Sequence, residues 1–147
     1  MNFQLVGKFG TVGNGNGQFE APVGIKISHT NSCILVCDCD NSRIQLFDLD
    51  SRDFLGCVKL SENLQGLTIE KEGCDMLSDA LIFTCFDHCV YKVNLKVLID
   101  SSFNLKQSTM WISSTPSQSG KDLDHFHYPL GVCVKYGLTR SDNTIIV

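Results

Sequence analysis

The sequence predicts an all-β fold assembled from a repeated four-strand unit, and two observations predict it. Short segments alternate apolar and polar residues and are separated by turn-forming clusters, the pattern of half-buried strands. One Gly-apolar-x-apolar element also recurs, at Gly24, Gly66 and Gly131. The step from Gly24 to Gly66 is 42 positions, within the roughly 40–45 residues of a four-stranded propeller blade. The step from Gly66 to Gly131 is 65 positions, a unit plus an insertion.

The clearest copy begins Phe19-Glu20-Ala21-Pro22-Val23-Gly24-Ile25-Lys26-Ile27. A polar turn, His29 to Ser32, leads to Ile34-Leu35-Val36-Cys37-Asp38. A second turn, Cys39-Asp40-Asn41-Ser42, leads to Arg43-Ile44-Gln45-Leu46-Phe47-Asp48, and Phe54 to Leu60 supplies a fourth strand. Asn, Asp and Ser suit both turns because their side chains bond to their own backbone. In a weaker second copy, Leu64 to Ile69, Ala80 to Thr84 and Asp87 to Val93 match the first three strands. A third copy opens at Phe126-His127-Tyr128-Pro129-Leu130-Gly131 and reaches Thr144-Ile145-Ile146-Val147. Phe3 to Phe9 aligns with Phe54 to Leu60, so both ends are expected to lie inside units.

Composition bounds the function. The chain has 147 residues, enough for a real core, with 43% hydrophobic and 19% charged residues. No apolar run approaches a membrane span, so no membrane association is expected. Twelve basic against sixteen acidic residues leave a net charge of −4, unlike a surface that tracks phosphates, which argues against nucleic acid. No basic segment followed by an apolar core opens the chain, so a cytoplasmic location is expected, with the eight cysteines reduced.

Lys8-Phe9-Gly10, Gly13 to Phe19, Pro22-Val23-Gly24-Ile25, Val36-x-Asp38 and Asn41 to Asp48 together resemble the NHL repeat. The resemblance is strong over residues 3 to about 60, loose over 61–100, and covers an opening half-repeat over 125–147. It implies a partial β-propeller of four-stranded blades, expected as a fragment of a longer propeller. Residues 3–9 are then the last strand of a preceding blade, 10–60 a blade and 61–106 a degenerate blade. Residues 107–124 are a Ser/Thr-rich insertion loop, and 125–147 the start of a third blade. The repeat signature is carried by Phe19, Pro22, Gly24, Asp38, Asn41, Arg43, Gly66, Pro129 and Gly131, and is expected to be structural. In the second blade Cys85 stands where Asp38 would, His88 where Asn41 would, and Cys89 where Arg43 would.

Candidate chemistry is sparse. The glycine-rich run Gly10 to Gly17 lacks the Gly-Lys-Ser/Thr ending of a phosphate loop and reads as a turn needing positive φ. Cys33, Cys37, Cys39, Cys85 and Cys89 contain no Cys-x-x-Cys pair and read as packed thiols, not metal ligands. Asp122, Asp124, His125 and His127 could in principle ligate a metal, but read as polar residues at a loop-to-strand junction. No catalytic, cofactor-binding or metal residue is therefore assigned. Trp111, in the insertion, is either a loop anchor or a partner contact.

A blade cannot bury both of its faces alone, so a partial ring implies a longer chain or copies that complete a ring. The expected function is a non-catalytic scaffold whose propeller face recognises a protein partner. The resemblance implies, as context, substrate recognition in a ubiquitin-ligase-type protein. A propeller enzyme, such as a metal-dependent lyase or hydrolase, is the competing class, and RNA binding a second.

Overall fold

A computed structural model describes residues 7–71, 79–113, 126–136 and 143–147. Its body is two four-stranded antiparallel sheets, each a meander in which neighbours in sequence are neighbours in space. The first contains β3 (Pro22–Ser28), β4 (Cys33–Asp38), β5 (Arg43–Asp48) and β6 (Phe54–Lys59). The second contains β7 (Leu64–Glu70), β8 (Ala80–Cys85), β9 (Val90–Asn94) and β10 (Thr109–Ile112). A short parallel pair, β1 (Thr11–Val12) with β2 (Gln18–Phe19), precedes them. A hairpin of β11 (Cys133–Lys135) and β12 (Thr144–Ile146) follows.

The two sheets repeat in register as well as in sequence. Pro22 pairs with Asp38, the register slips, and Gly24 then pairs with Cys37. Leu64 pairs with Cys85, the register slips at the same place, and Gly66 pairs with Thr84. A bulge of this kind bends and twists its strand locally. The turns also repeat, with Ser42 and His88 both left-handed (φ 47° and 67°) in the second hairpin of their sheets. β3 lies beside β7, and β7 beside β11, so the first strands of the three units form a row.

The main core is the layer between the two sheets. Cys33, Leu35, Cys37, Ile44, Leu46 and Val58 from the first meet Leu67, Leu81, Phe83, Tyr91 and Val93 from the second. A smaller cluster of Ile34, Val36 and Phe47 lies on the other face of the first sheet, with Phe9, Phe19 and Phe54 packed on it. Phe47 meets these three rings at centroid distances of 5.3, 5.8 and 5.8 Å.

Three expectations change. Two helices, α1 (Leu95–Asp100) and α2 (Leu105–Ser108), enter the second unit between β9 and β10. Asn94 and Asn104 start them, each side chain accepting from the backbone N–H three residues on, at 3.0 and 3.2 Å. Leu95 and Leu98 then fall on the buried side at helical spacing, where strand alternation is lost. Residues 107–112 are not the start of an insertion loop: 107 and 108 close α2, and Thr109–Ile112 pair with β9 as the fourth strand of the second sheet. Residues 114–125, the rest of the expected insertion, lie outside the described residues. Of the strand expected at 3–9, residues 3–6 also lie outside them, and residues 7–9 form no strand; Phe9 instead packs into the small cluster. No helix among the described residues is long and apolar enough to cross a membrane.

Gly56 shows how tightly the first sheet meets the α1–α2 connection. A Cβ built there falls 1.9 Å from the Phe103 ring. Gly56→Ala is expected to cost about 1–3 kcal/mol in urea unfolding, the range for overpacking. Combining it with Phe103→Ala should cost less than the sum of the two single changes, because the second removes the clash created by the first.

Candidate functional site

Two constellations stand out, one buried and one exposed. The buried one begins with Asp38, at the end of β4 and fully inaccessible to water. A buried carboxylate is stable only when its charge and lone pairs are met. Arg43 Nε donates to Oδ2 at 2.7 Å, Gln45 Nε2 to Oδ2 at 3.1 Å, and the Glu20 N–H to Oδ1 at 2.7 Å. Asn41 Nδ2 lies 3.0 Å from both oxygens. Antiparallel pairing sets Arg43 opposite Asp38, and strand alternation puts Gln45 on the same face.

The rest of the guanidinium holds the glycine-rich loop. Nη1 donates to the Asn14 carbonyl at 2.8 Å, and Nη2 to those of Gly15 and Gln18 at 2.9 and 2.8 Å. Gln45 adds a bond to the Gln18 carbonyl at 2.6 Å and accepts from the Gly17 N–H at 3.0 Å. Asn41 reaches the Gly13 carbonyl at 3.0 Å. Gly10, Gly13 and Gly17 all have positive φ, as a turn of this kind requires. A Cβ on Gly13 would fall 2.4 Å from the Gln18 amide oxygen.

The sequence-predicted residues therefore separate into two groups. Phe19, Asp38, Asn41 and Arg43 come together around the loop, Phe19 by packing on Phe47 at 5.8 Å. Pro22, Gly24 and Gly66 lie at the matching bulges of β3 and β7, with Pro129 buried and Gly131 just before β11. Gly66 lets the third unit approach: a Cβ there would stand 3.0 Å from the Leu130 carbonyl oxygen. Trp111 belongs to neither group. It sits on β10, 45% exposed, not in a loop. Gln45 and Gln18 complete the buried network without having been singled out from sequence; the only signal was the placement of Gln45 two residues after Arg43 on one strand face.

In the second sheet, Cys85 and Cys89 occupy the positions of Asp38 and Arg43 and are buried. Beside them Tyr91 donates its hydroxyl to Asp87 and stacks on Phe83 at 5.0 Å. Burial, then the bond to Asp87, pushes the Tyr91 hydroxyl well above its ordinary pKa. Burial likewise raises the Cys85 thiol. Burial, followed by nearby acidic groups, lifts Cys33 from 9.0 to about 11. Cys37 is lifted to about 12 by burial and then by Cys39 and Asp38. Such thiols are protonated at neutral pH, the opposite of a nucleophile or ready metal ligand. Among the described residues no group of three His, Cys, Asp or Glu side chains could hold a metal ion.

The exposed constellation lies where the chain enters the second sheet and the third unit. The Ser42 hydroxyl donates to Asn63 Oδ1 at 2.5 Å, and the Phe86 N–H to the Asn63 carbonyl at 3.0 Å. The Tyr128 N–H donates to His88 Nδ1 at 3.1 Å. Tyr128 then meets His88, His127 and Phe86 at ring distances of 4.5, 4.7 and 5.7 Å. Phe86, Tyr128 and Leu130 are exposed, Leu130 by 68%. His127 is thus brought to His88 at 5.6 Å; Asp122, Asp124 and His125 lie outside the described residues. Sequence analysis passed over Phe86 and Tyr128, because their proximity across 42 residues depends on the turn and the third unit meeting.

No protein-family profile matches the chain, and no curated protein sequence matches it.

Two predictions follow from the buried groups. Arg43→Ala leaves Asp38 buried without its cation and is expected to cost about 3–5 kcal/mol in urea unfolding. Arg43→Lys should recover little of it, because an ammonium cannot serve one carboxylate and three carbonyls at once. The raised thiols work on alkaline stability. Above pH 9.0 the unfolded chain loses thiol protons that folded Cys33 and Cys37 keep until about 11 and 12. Unfolding free energy should accordingly be unaffected by these groups below pH 9.0 and fall as pH rises from there, with Cys37→Ala flattening the decline.

Proposed function

We propose that this chain is part of an NHL-type β-propeller that acts as a non-catalytic protein-binding scaffold. The repeated bulges, the aligned first strands and the loop bound by Asp38 and Arg43 support the propeller reading. One observation carries the functional reading: the exposed ring cluster of Phe86, His88, His127 and Tyr128, built from two successive units. Exposed apolar patches on rigid supports are where protein partners bind, and aromatic residues dominate their energetics. Glu62 is exposed one residue before Asn63, whose carbonyl accepts from the Phe86 N–H, and a negative charge beside the cluster favours a peptide over a polyanion. Substrate recognition within a ubiquitin-ligase-type protein is the biological context this reading favours.

Selection of a displayed random-peptide library on the immobilised chain tests the proposal. Enriched peptides are expected to lose about 2 kcal/mol of binding to a Tyr128→Ser variant, the size of a hot-spot truncation, or roughly thirtyfold in Kd. Enriched peptides that bind the Tyr128→Ser and Phe86→Ser variants as well as the parent, or no enrichment at all, would remove the basis for this reading.

A further inference from the structure

One hydrogen bond between the third unit and the second sheet depends on the protonation state of a single side chain. The Tyr128 backbone N–H donates to His88 Nδ1 at 3.1 Å. A backbone N–H can only donate, so Nδ1 must present its lone pair. A neutral imidazole with its proton on Nε2 meets that requirement. An imidazolium carries a proton on both nitrogens and would turn a second N–H toward the first. His88 is half-buried, and His127 and Tyr128, which pack on it, are exposed, so protons reach it from solvent.

The segment held by this bond is strained. Tyr128 has φ 51°, a left-handed conformation unfavourable for a bulky L residue. Pro129 follows it and disfavours the right-handed helical alternative, which leaves an extended conformation open to a released segment. Among the described residues, the titratable groups around His88 would not restore the bond. Asp87, next in the turn, accepts from the Cys89 N–H at 3.1 Å and from the Tyr91 hydroxyl. Cys85 and Cys89 flank the turn as buried thiols, and burial raises the pKa of Cys85. Glu62, from the β6–β7 connection, is exposed, and salt screens its charge. His127, from the third unit, stacks on His88 at 5.6 Å with 18° between the rings, and charge on both imidazoles would be repulsive.

We propose that His88 is a proton-sensitive latch for the ring cluster. Neutral, it accepts from Tyr128 and keeps Phe86, His127 and Tyr128 gathered; protonated, it releases Tyr128 and the cluster opens. The docked segment excludes a proton that the released form accepts, so docking is full above the ordinary histidine range and weakens as pH falls through it. With an unperturbed imidazole titrating at roughly 6.5, docking falls about tenfold between about pH 7.5 and about pH 5.5. The corresponding turn of the first unit carries Asn41, which bonds to the Gly13 carbonyl through an amide that does not titrate. The cluster is the surface proposed above to bind a peptide, and the consequence for binding rests on that reading.

The test is amide hydrogen exchange at Tyr128 in the full chain, followed by NMR and corrected for the intrinsic rate, with the ring-nitrogen shifts of His88 and His127 recorded over the same pH range. His88→Asn supplies an acceptor that does not titrate, and asparagine tolerates the left-handed backbone that His88 adopts at φ 67°. His88 is expected to carry its proton on Nε2 at neutral pH. Protection of the Tyr128 amide should fall about tenfold in step with the titration of His88, and stay level in His88→Asn. A neutral His88 with its proton on Nδ1, protection that does not change with pH, or a loss that follows His127 would overturn the proposal. So would a His88→Asn chain that protects Tyr128 at neutral pH and loses protection on acidification. Should His88→Asn fail to hold the segment, the titration of the parent decides alone. No peptide enters these measurements, so they stand or fall separately from peptide selection on the Tyr128 surface.

Discussion

The burial of the Asp38 carboxylate is the constraint on which the first unit depends. A charge removed from water at the end of β4 requires a cation and several donors, and the chain supplies them from three places. Arg43 and Gln45 come from the next strand, Asn41 from the turn between, and the Glu20 N–H from the segment entering β3. Arg43 then has donors to spare, and the glycine loop provides carbonyls for them. The loop is thereby bound to the sheet by polar bonds, not by packing. Holding it there sets Phe19 over Phe47 and closes the smaller apolar cluster. One ion pair connects a backbone of unusual φ, a strand entry and an aromatic cluster.

The second sheet meets the same position with different chemistry, and chain length explains why. A long glycine-rich segment precedes β3, whereas only residues 60–63 separate β6 from β7. So short a connection cannot offer the carbonyls that an arginine at position 89 would require. An Asp–Arg pair there would be buried with its remaining donors unmet, which costs more than it returns. Cys85 and Cys89, with Tyr91 bonded to Asp87 and stacked on Phe83, fill the space instead. The raised thiol and hydroxyl pKa values are the electrostatic record of that substitution: the groups stay neutral because nothing nearby would stabilise their charge.

Strand alternation made most of the fold legible in the sequence. Ile34 to Asp38 and Arg43 to Asp48 could be placed from period and turn residues alone, since both signals are local. The repeat at Gly24 and Gly66 was legible for a related reason: a bulge where first strands approach one another favours a small residue in each unit. The two helices were not legible as helices. Leu95 and Leu98 are a short apolar pair that either period accommodates, and the asparagine caps decide the matter only once a helix is considered. Trp111 was placed in a loop because β10 pairs with β9 across an excursion of two helices, and no local pattern records that pairing. The ring cluster was invisible for the strongest reason, that Phe86 and His88 meet Tyr128 and His127 only across the boundary between units.

That division bears on where function resides. The signature residues legible in the first unit, Asp38, Asn41 and Arg43, have their polar atoms committed to one another and to the loop, so they offer little to a ligand. Glycines at the bulges are committed to the approach of neighbouring strands. What remains available is the part of each unit that need not repeat: the turn between its second and third strands and the connection into the next. These segments can vary without loss of the sheet, because the ladders and the inter-sheet core hold the scaffold. The Phe86–His88 turn and the Tyr128 segment are of this kind, and they meet because the repeated scaffold brings successive connections to one edge. A surface assembled in this way gains rigidity from the repeats and individuality from the residues between them, the combination that selective binding requires.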